Sequence, residues 1–179
     1  MFKGQWPTIC EMFMISYQEF KTRNCFTAFT PERDTLTYQQ VHTEVMRVSS
    51  YLQQQGLKEG DRVILDGKNS PQWAMSYLAV LFAGGVIVPL DNQMHIDRVI
   101  TLSTFSEASF IFADGDVLEK LDANDGWVRQ IQGHKITLLG EGSADCPSFA
   151  SLRPDKEYPS IKRSEEDIAA ILYTSDNWK

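Results

Sequence analysis

Arg62-Val63-Ile64-Leu65-Asp66-Gly67-Lys68-Asn69-Ser70-Pro71 and, further on, Gly84-Gly85-Val86-Ile87-Val88-Pro89-Leu90-Asp91 are the two stretches that decide the fold of this 179-residue chain. Each holds an unbroken run of apolar, β-branched-rich side chains, the pattern of a short strand covered on both faces. Between them Ser70 is placed to cap a helix whose first position is Pro71, where a missing N–H is no loss. Trp73, Tyr77, Leu78, Leu81 and Phe82 give that helix a broad apolar face up to about Ala83, and Gly84-Gly85 stops it. Strand, helix and strand in this order form a parallel crossover unit.

The unit repeats toward the carboxyl terminus. A helix over about His95 to Phe105 carries Ile96, Val99, Ile100 and Leu102, and Phe110-Ile111-Phe112 reads as the next buried strand. Asp116 to Leu121 predicts a short helix and Lys135 to Leu139 another strand. Residues 140–164 mix Gly, Ser, Pro and charge without periodicity, which predicts an irregular connection. Ile168-Ala169-Ala170-Ile171-Leu172-Tyr173 reads as one more apolar strand, the start of a segment 165–179.

Toward the amino terminus, Ile9, Met12, Phe13, Tyr17 and Phe20 recur at helical spacing, which predicts a helix from Ile9 to Lys21. Cys25 to Thr30 and Leu36-Thr37-Tyr38 suit a short strand pair, with Pro31 and Asp34 marking the turn. Thr37 with Gln40 makes a capping box, Leu36 with Val41 a hydrophobic staple, and Val41, Val45, Val48 and Leu52 the apolar stripe of the helix that follows. His42 lies on the opposite face with no second metal-binding side chain near it in sequence, and reads as a solvated helix residue. The expectation is one α/β domain over residues 1–179, a largely parallel sheet with helices on both faces. Ligands of such sheets sit at the carboxyl ends of the strands.

Composition narrows the function classes. There are 24 acidic and 17 basic residues, a formal charge of -7, and no window collects a Lys/Arg stripe, so nucleic acid is not an expected partner. The amino-terminal residues lack the pattern of a secretory signal. The longest apolar run, Ala79 to Leu90, is broken by two glycines and falls short of the ~20 residues that cross a bilayer, so no membrane span is expected. Cys10, Cys25 and Cys146 are widely spaced and make no C-x-x-C or Cys/His cluster, which suits reduced thiols in a cytoplasmic protein.

Recognisable nucleotide and nucleophile motifs are missing: the chain has no G-x-G-x-x-G, no G-x-x-x-x-G-K-[ST] and no G-x-S-x-G around Ser70. His42, His95 and His134 pair with no nucleophile or metal set in sequence. Thr174 and Ser175 stand apart, because hydroxyl residues directly behind a strand are where a loop meets phosphate oxygens.

Taken in order, Leu36-Thr37-Tyr38, Gly60-Asp61-Arg62-Val63, Asn69-Ser70-Pro71-Gln72-Trp73 and Leu81-Phe82-Ala83-Gly84-Gly85-Val86-Ile87-Val88-Pro89-Leu90-Asp91 resemble the successive amino-terminal signatures of the adenylate-forming (AMP-binding) superfamily. That superfamily includes acyl-CoA synthetases, luciferases and the adenylation domains of peptide synthetases. Arg98, Ser106 and Ala108 stand where the family carries such residues, and Glu166 to Ser175 resembles the strand leading into its phosphate loop, most like the long-chain fatty-acid ligase branch. The resemblance covers about Leu36 to Ser175. It implies the amino-terminal subdomain of the adenylate-forming fold, with Thr174 and Ser175 as part of an ATP phosphate loop. For the full-length parent it implies ATP, Mg2+ and coenzyme A as cofactors and a carboxylic acid as substrate. The acid would be joined to AMP with loss of pyrophosphate and then passed to the coenzyme A thiol.

The sequence also departs from the family pattern. Where the family continues as a Ser/Thr/Gly-rich run to Pro-Lys-Gly, this chain reads Asp176-Asn177-Trp178-Lys179, and an acidic side chain repels phosphate. A truncated phosphate loop is therefore expected, with no catalytic or metal-binding residue in the chain, no tight cofactor binding and no adenylation by the 179 residues alone. The competing reading is a non-catalytic interaction domain that self-associates as a homodimer through its sheet edges.

Overall fold

In the computed structural model, residues 6–29, 34–124, 127 and 134–173 are described. The elements follow in order: α1 (Ile9–Phe20), β1 (Asn24–Ala28), β2 (Asp34–Thr37), α2 (Tyr38–Gln54), β3 (Arg62–Asp66), α3 (Pro71–Phe82), β4 (Val86–Leu90), α4 (Ile96–Phe105), β5 (Phe110–Ala113), α5 (Gly115–Asp122) and β6 (Lys135–Thr137). β1 and β2 form a small antiparallel pair, and Pro31, read as part of its turn, lies outside the described residues. The other four strands make one parallel sheet in the order β4-β3-β5-β6, with Val63 level with Ile87 on one side and Phe110 on the other.

Alternation along each strand divides the core in two. Val63, Leu65, Ile87, Phe110, Phe112 and Ile136 point to the side covered by α1, α2 and α3, where they meet Phe13, Val45, Leu52, Met75 and Ala79. Ile64, Val88, Ile111 and Ala113 point to the side covered by α4 and α5, against Val99, Leu102, Leu118 and Leu121. Burying one such aliphatic side chain is worth about 1.5–3 kcal/mol, so a sheet filled on both faces needs no polar positions within its strands. The α/β expectation, a parallel sheet between two helical layers, is met.

Local signals place the helix starts. Thr37 Oγ1 accepts the Gln40 N–H at 3.3 Å and Gln40 Oε1 accepts the Thr37 N–H at 2.8 Å, the reciprocal capping box that begins α2. Ser70 Oγ accepts the Trp73 N–H at 3.1 Å at the start of α3. At the far end Gly84 adopts φ +85°, and an added Cβ would lie 3.2 Å from the Ile161 side chain, so both backbone and space demand glycine there.

Two expectations change. The segment Ile168–Tyr173 is not a buried strand: Ala170 makes an isolated parallel bridge to Ile87, and Ile168 and Leu172 are 62% and 72% exposed. The Ile87 N–H donates to the Ala169 carbonyl at 3.0 Å and the Ile171 N–H to the Ile87 carbonyl at 2.9 Å. The next outward-facing rung on β4 falls at Pro89, which has no N–H to give, and the ladder stops. His42 is the second change. Its ring stacks on Tyr17 with centroids 3.9 Å apart, because α1 crosses the amino half of α2. Burial, and next the Lys21 charge, hold this imidazole below its ordinary pKa.

Residues 140–164 carry a 3-10 turn at Phe149–Ser151 and are anchored. The Arg47 guanidinium donates to the carbonyls of Phe149 and Leu152, the Ser50 hydroxyl accepts the Tyr158 N–H at 3.0 Å, and the Ile161 N–H donates to the Phe82 carbonyl at 2.8 Å.

Candidate functional site at the carboxyl ends of the sheet

The chain leaves β3 toward the α3 layer but leaves β4 and β5 toward the α4 and α5 layer, so the carboxyl end of β3 is flanked by a crevice on each side. Such a reversal of direction is where an open parallel sheet can receive a ligand. Between β3 and β4 lies a polar hollow of about 250 Å³ lined by Gly67, Asn69, Trp73, Leu90, Asp91 and Asn92. Among the described residues no lysine or arginine lines it.

At the carboxyl ends of β3 and β5 stand two buried carboxyl groups, Asp66 and Asp114, 1% and 6% exposed. Their backbones are joined, the Asp114 N–H donating to the Asp66 carbonyl at 3.1 Å. Asp114 Oδ2 accepts the Lys68 N–H at 2.9 Å, fastening the loop that follows β3. Among the described residues, Asp66 Oδ1 and Asp114 Oδ1 have no donor. Burial first, then the neighbouring charges of Asp114, Asp116 and Asp91, push the Asp66 carboxyl up to about 6. Gly67 admits no side chain, since a Cβ there would collide with Leu138 and lie 3.1 Å from Asp114 Oδ1.

These aspartates were missed in the reading of the sequence, although a signal was present. Three apolar strands each close on an aspartate, at Leu65-Asp66, Leu90-Asp91 and Ala113-Asp114, which puts acid at the carboxyl edge wherever the strands run parallel. Among the described residues no group of three His, Cys, Asp or Glu side chains is arranged to hold a metal ion. A triphosphate does not fit this acidic edge on the residues described. Thr174, Ser175 and Asp176 lie outside the described residues. The described chain leads up to them parallel to β4, ending at Tyr173, whose ring meets Phe105 edge-on at 6.3 Å. His134 stacks on Phe110 at 4.1 Å, and His95 is exposed beside Asp97, so neither belongs to a site here.

With this geometry in hand, comparison with known proteins decides the family. Residues 16–175 match the family described as AMP-binding enzyme. The chain belongs to the AMP-binding enzyme family. Over 166 residues it is 43% identical to a long-chain-fatty-acid–CoA ligase of Bacillus subtilis, an alignment covering 78% of this chain and 30% of the relative. Long chain acyl-CoA synthetase 4 of Arabidopsis thaliana is 27% identical over 152 residues, covering 78% of this chain and 23% of the relative. Among solved structures, the anthranilate CoA ligase AuaEII in complex with anthranoyl-AMP superposes with a TM-score of 0.84 over 97% of this chain and 33% of that one, at 19% identity. That likeness establishes the fold, the amino-terminal part of an AMP-binding enzyme. The chain spans less than a third of the length of each of these two curated relatives.

Proposed function

We propose that this chain forms the amino-terminal α/β layer of an ATP-dependent acyl-CoA ligase, an AMP-forming acid–thiol ligase whose carboxylic acid is a long-chain fatty acid. The observation that carries the proposal is the 43% identity to the Bacillus subtilis long-chain-fatty-acid–CoA ligase. Enzymes of the family in general use ATP, Mg2+ and coenzyme A, and the whole protein is assigned the same three. Thr174 and Ser175 are proposed as its first phosphate-loop contacts. Neither a catalytic nor a metal-binding role is assigned to any other residue of the chain.

In this reading the layer contributes scaffold rather than chemistry. Its sheet sets the position of the strand ends, and the segment 168–173, pinned to β4 through Ile87, aims the following residues along that edge. Among the described residues the two crevices beside β3 are lined by carboxyl groups and by no cation to receive a triphosphate, which supports the reading that the 179 residues alone are inert. No helix among the described residues is long and apolar enough to cross a membrane. The three cysteines are free, which suits the cytoplasm as its compartment.

Transplantation tests the assignment. Residues 1–173 should replace the equivalent part of the Bacillus subtilis ligase and leave palmitate-dependent ATP–pyrophosphate exchange within about tenfold of the parent, a change in barrier of roughly 1.4 kcal/mol. A chimera that folds but exchanges pyrophosphate with no acid would overturn it. A second reading, a self-associating scaffold, is favoured by the exposed Ile168 and Leu172 on the outer side of β4. Size-exclusion chromatography with and without ATP separates the two: a dimer indifferent to ATP supports the scaffold, and a monomer removes it.

A further inference from the structure

We propose that Arg163 is a positioning residue for the phosphate loop: its guanidinium ties the Ile168 carbonyl to the Gly84 carbonyl and so sets the direction of the 168–173 segment that precedes Thr174 and Ser175. The role toward Thr174 and Ser175 rests on the ligase reading; the tie itself does not. It starts from how little else holds the segment. Among the described residues two backbone hydrogen bonds join it to β4, both at Ile87, and Pro89 ends the ladder there. None of residues 168–173 is fully buried, so packing does not replace the missing bonds.

Two bonds at one residue make a pivot, and a direction needs a second fixed point. Arg163 supplies it. Its Nη1 donates to the Gly84 carbonyl and its Nη2 to the Ile168 carbonyl, each at 2.8 Å. Gly84 lies three residues upstream of Ile87, and Ile168 directly precedes Ala169, so the segment is held at two places along its course. The planar guanidinium presents both donors in a fixed fork, which a flexible ammonium does not. With the Arg163 side chain 7% exposed, water competes little for either carbonyl.

Both ends of the tie are themselves fastened. The Gly84 carbonyl also accepts the Gly60 N–H at 2.9 Å, and the Ile161 side chain packs against Gly84. On the other side the chain closes into a turn, with the Ser164 N–H donating to Asp167 Oδ2 at 2.7 Å and the Asp167 N–H to the Ser164 carbonyl at 3.3 Å. That turn folds the backbone back so that Arg163 reaches a carbonyl five positions downstream. Asp167 Oδ2 stands 3.8 Å from Arg163 Nε, so the cation is answered within the same turn.

Amide exchange on the 179-residue chain reads the tie directly. In Arg163→Met, which keeps the aliphatic stem and loses both donors, the Ile87 and Ile171 amides should exchange about tenfold faster while the β3 amides keep their protection. Arg163→Lys retains the charge without the fork and should still exchange about threefold faster than the wild type. Should the methionine variant not fold, the lysine variant gives the reading by itself. Unchanged exchange in Arg163→Met, full recovery in Arg163→Lys, or β3 amides that lose protection in step with Ile87 overturns the proposal.

The role in nucleotide binding is read in the chimera that joins residues 1–173 to the Bacillus subtilis ligase. A loop that must be ordered on binding weakens the ground state and the transition state alike, so Arg163→Met should raise the KM for ATP about tenfold and leave kcat within about twofold. A residue that merely supports folding lowers the amount of active protein, so kcat falls at unchanged KM, and that result overturns the positioning role. An unsubstituted chimera that folds without any exchange activity sinks the ligase reading and the role toward Thr174 and Ser175 with it, while the Ile87 and Ile171 amides still decide the tie.

Discussion

Ser70, Gly84 and His42 show what single residues settle. Ser70→Ala removes the hydroxyl that accepts the Trp73 N–H and should cost about 1 kcal/mol in urea unfolding. Gly84→Ala meets two obstacles, φ +85° and the Ile161 side chain, and should cost more than the ~1 kcal/mol of the backbone conformation alone. Both positions were readable in the sequence, because a cap and a stop are decided within four or five neighbouring residues. His42 was not. Its stacking on Tyr17 depends on how α1 lies across α2, a contact between residues 25 positions apart that no local pattern encodes. Being held below the ordinary imidazole range, His42 favours the neutral form, so stability falls as pH drops through 6.5 toward its lowered value. His42→Phe retains an aromatic ring over Tyr17 and should lose less stability than the wild type in thermal melts taken from pH 7.5 to 5.5.

At the scale of elements, periodicity and punctuation placed every long helix and all four parallel strands, because apolar runs bounded by glycine and caps are the physical cause of those elements rather than a correlate of them. The segment 168–173 shows the limit. Its apolar composition is that of a buried strand, yet its pairing is set by its neighbour, where Pro89 withholds a donor, and its outer residues find no cover among the described elements. Arg163 supports it from outside, donating to the Gly84 and Ile168 carbonyls, each at 2.8 Å. Ile171→Pro deletes the N–H that reaches the Ile87 carbonyl and should free the segment while β4 stays paired with β3. The check is amide exchange. Ile87, which donates to Ala169, should exchange faster by tenfold or more, roughly 1.4 kcal/mol, while the β3 amides keep their protection. Unchanged Ile87 exchange would mean that the bridge holds nothing.

For the whole molecule, the ordered series of short signatures from Leu36 to Asp91 made the family readable, and the match over residues 16–175 establishes it. The acidic edge was harder to see, because Asp66, Asp91 and Asp114 are 25 and 23 positions apart and meet only when the strands are laid parallel. That edge underlies the proposed role: the described crevices beside β3 present carboxyl groups, which disfavour the approach of a triphosphate. The most direct measurement is palmitate-dependent ATP–pyrophosphate exchange by the 179-residue polypeptide, on protein that shows a cooperative urea transition. Exchange indistinguishable from a protein-free control is the predicted result. Exchange that appears only when palmitate, ATP and Mg2+ are all present would contradict the account, since this layer would then hold a working nucleotide site of its own.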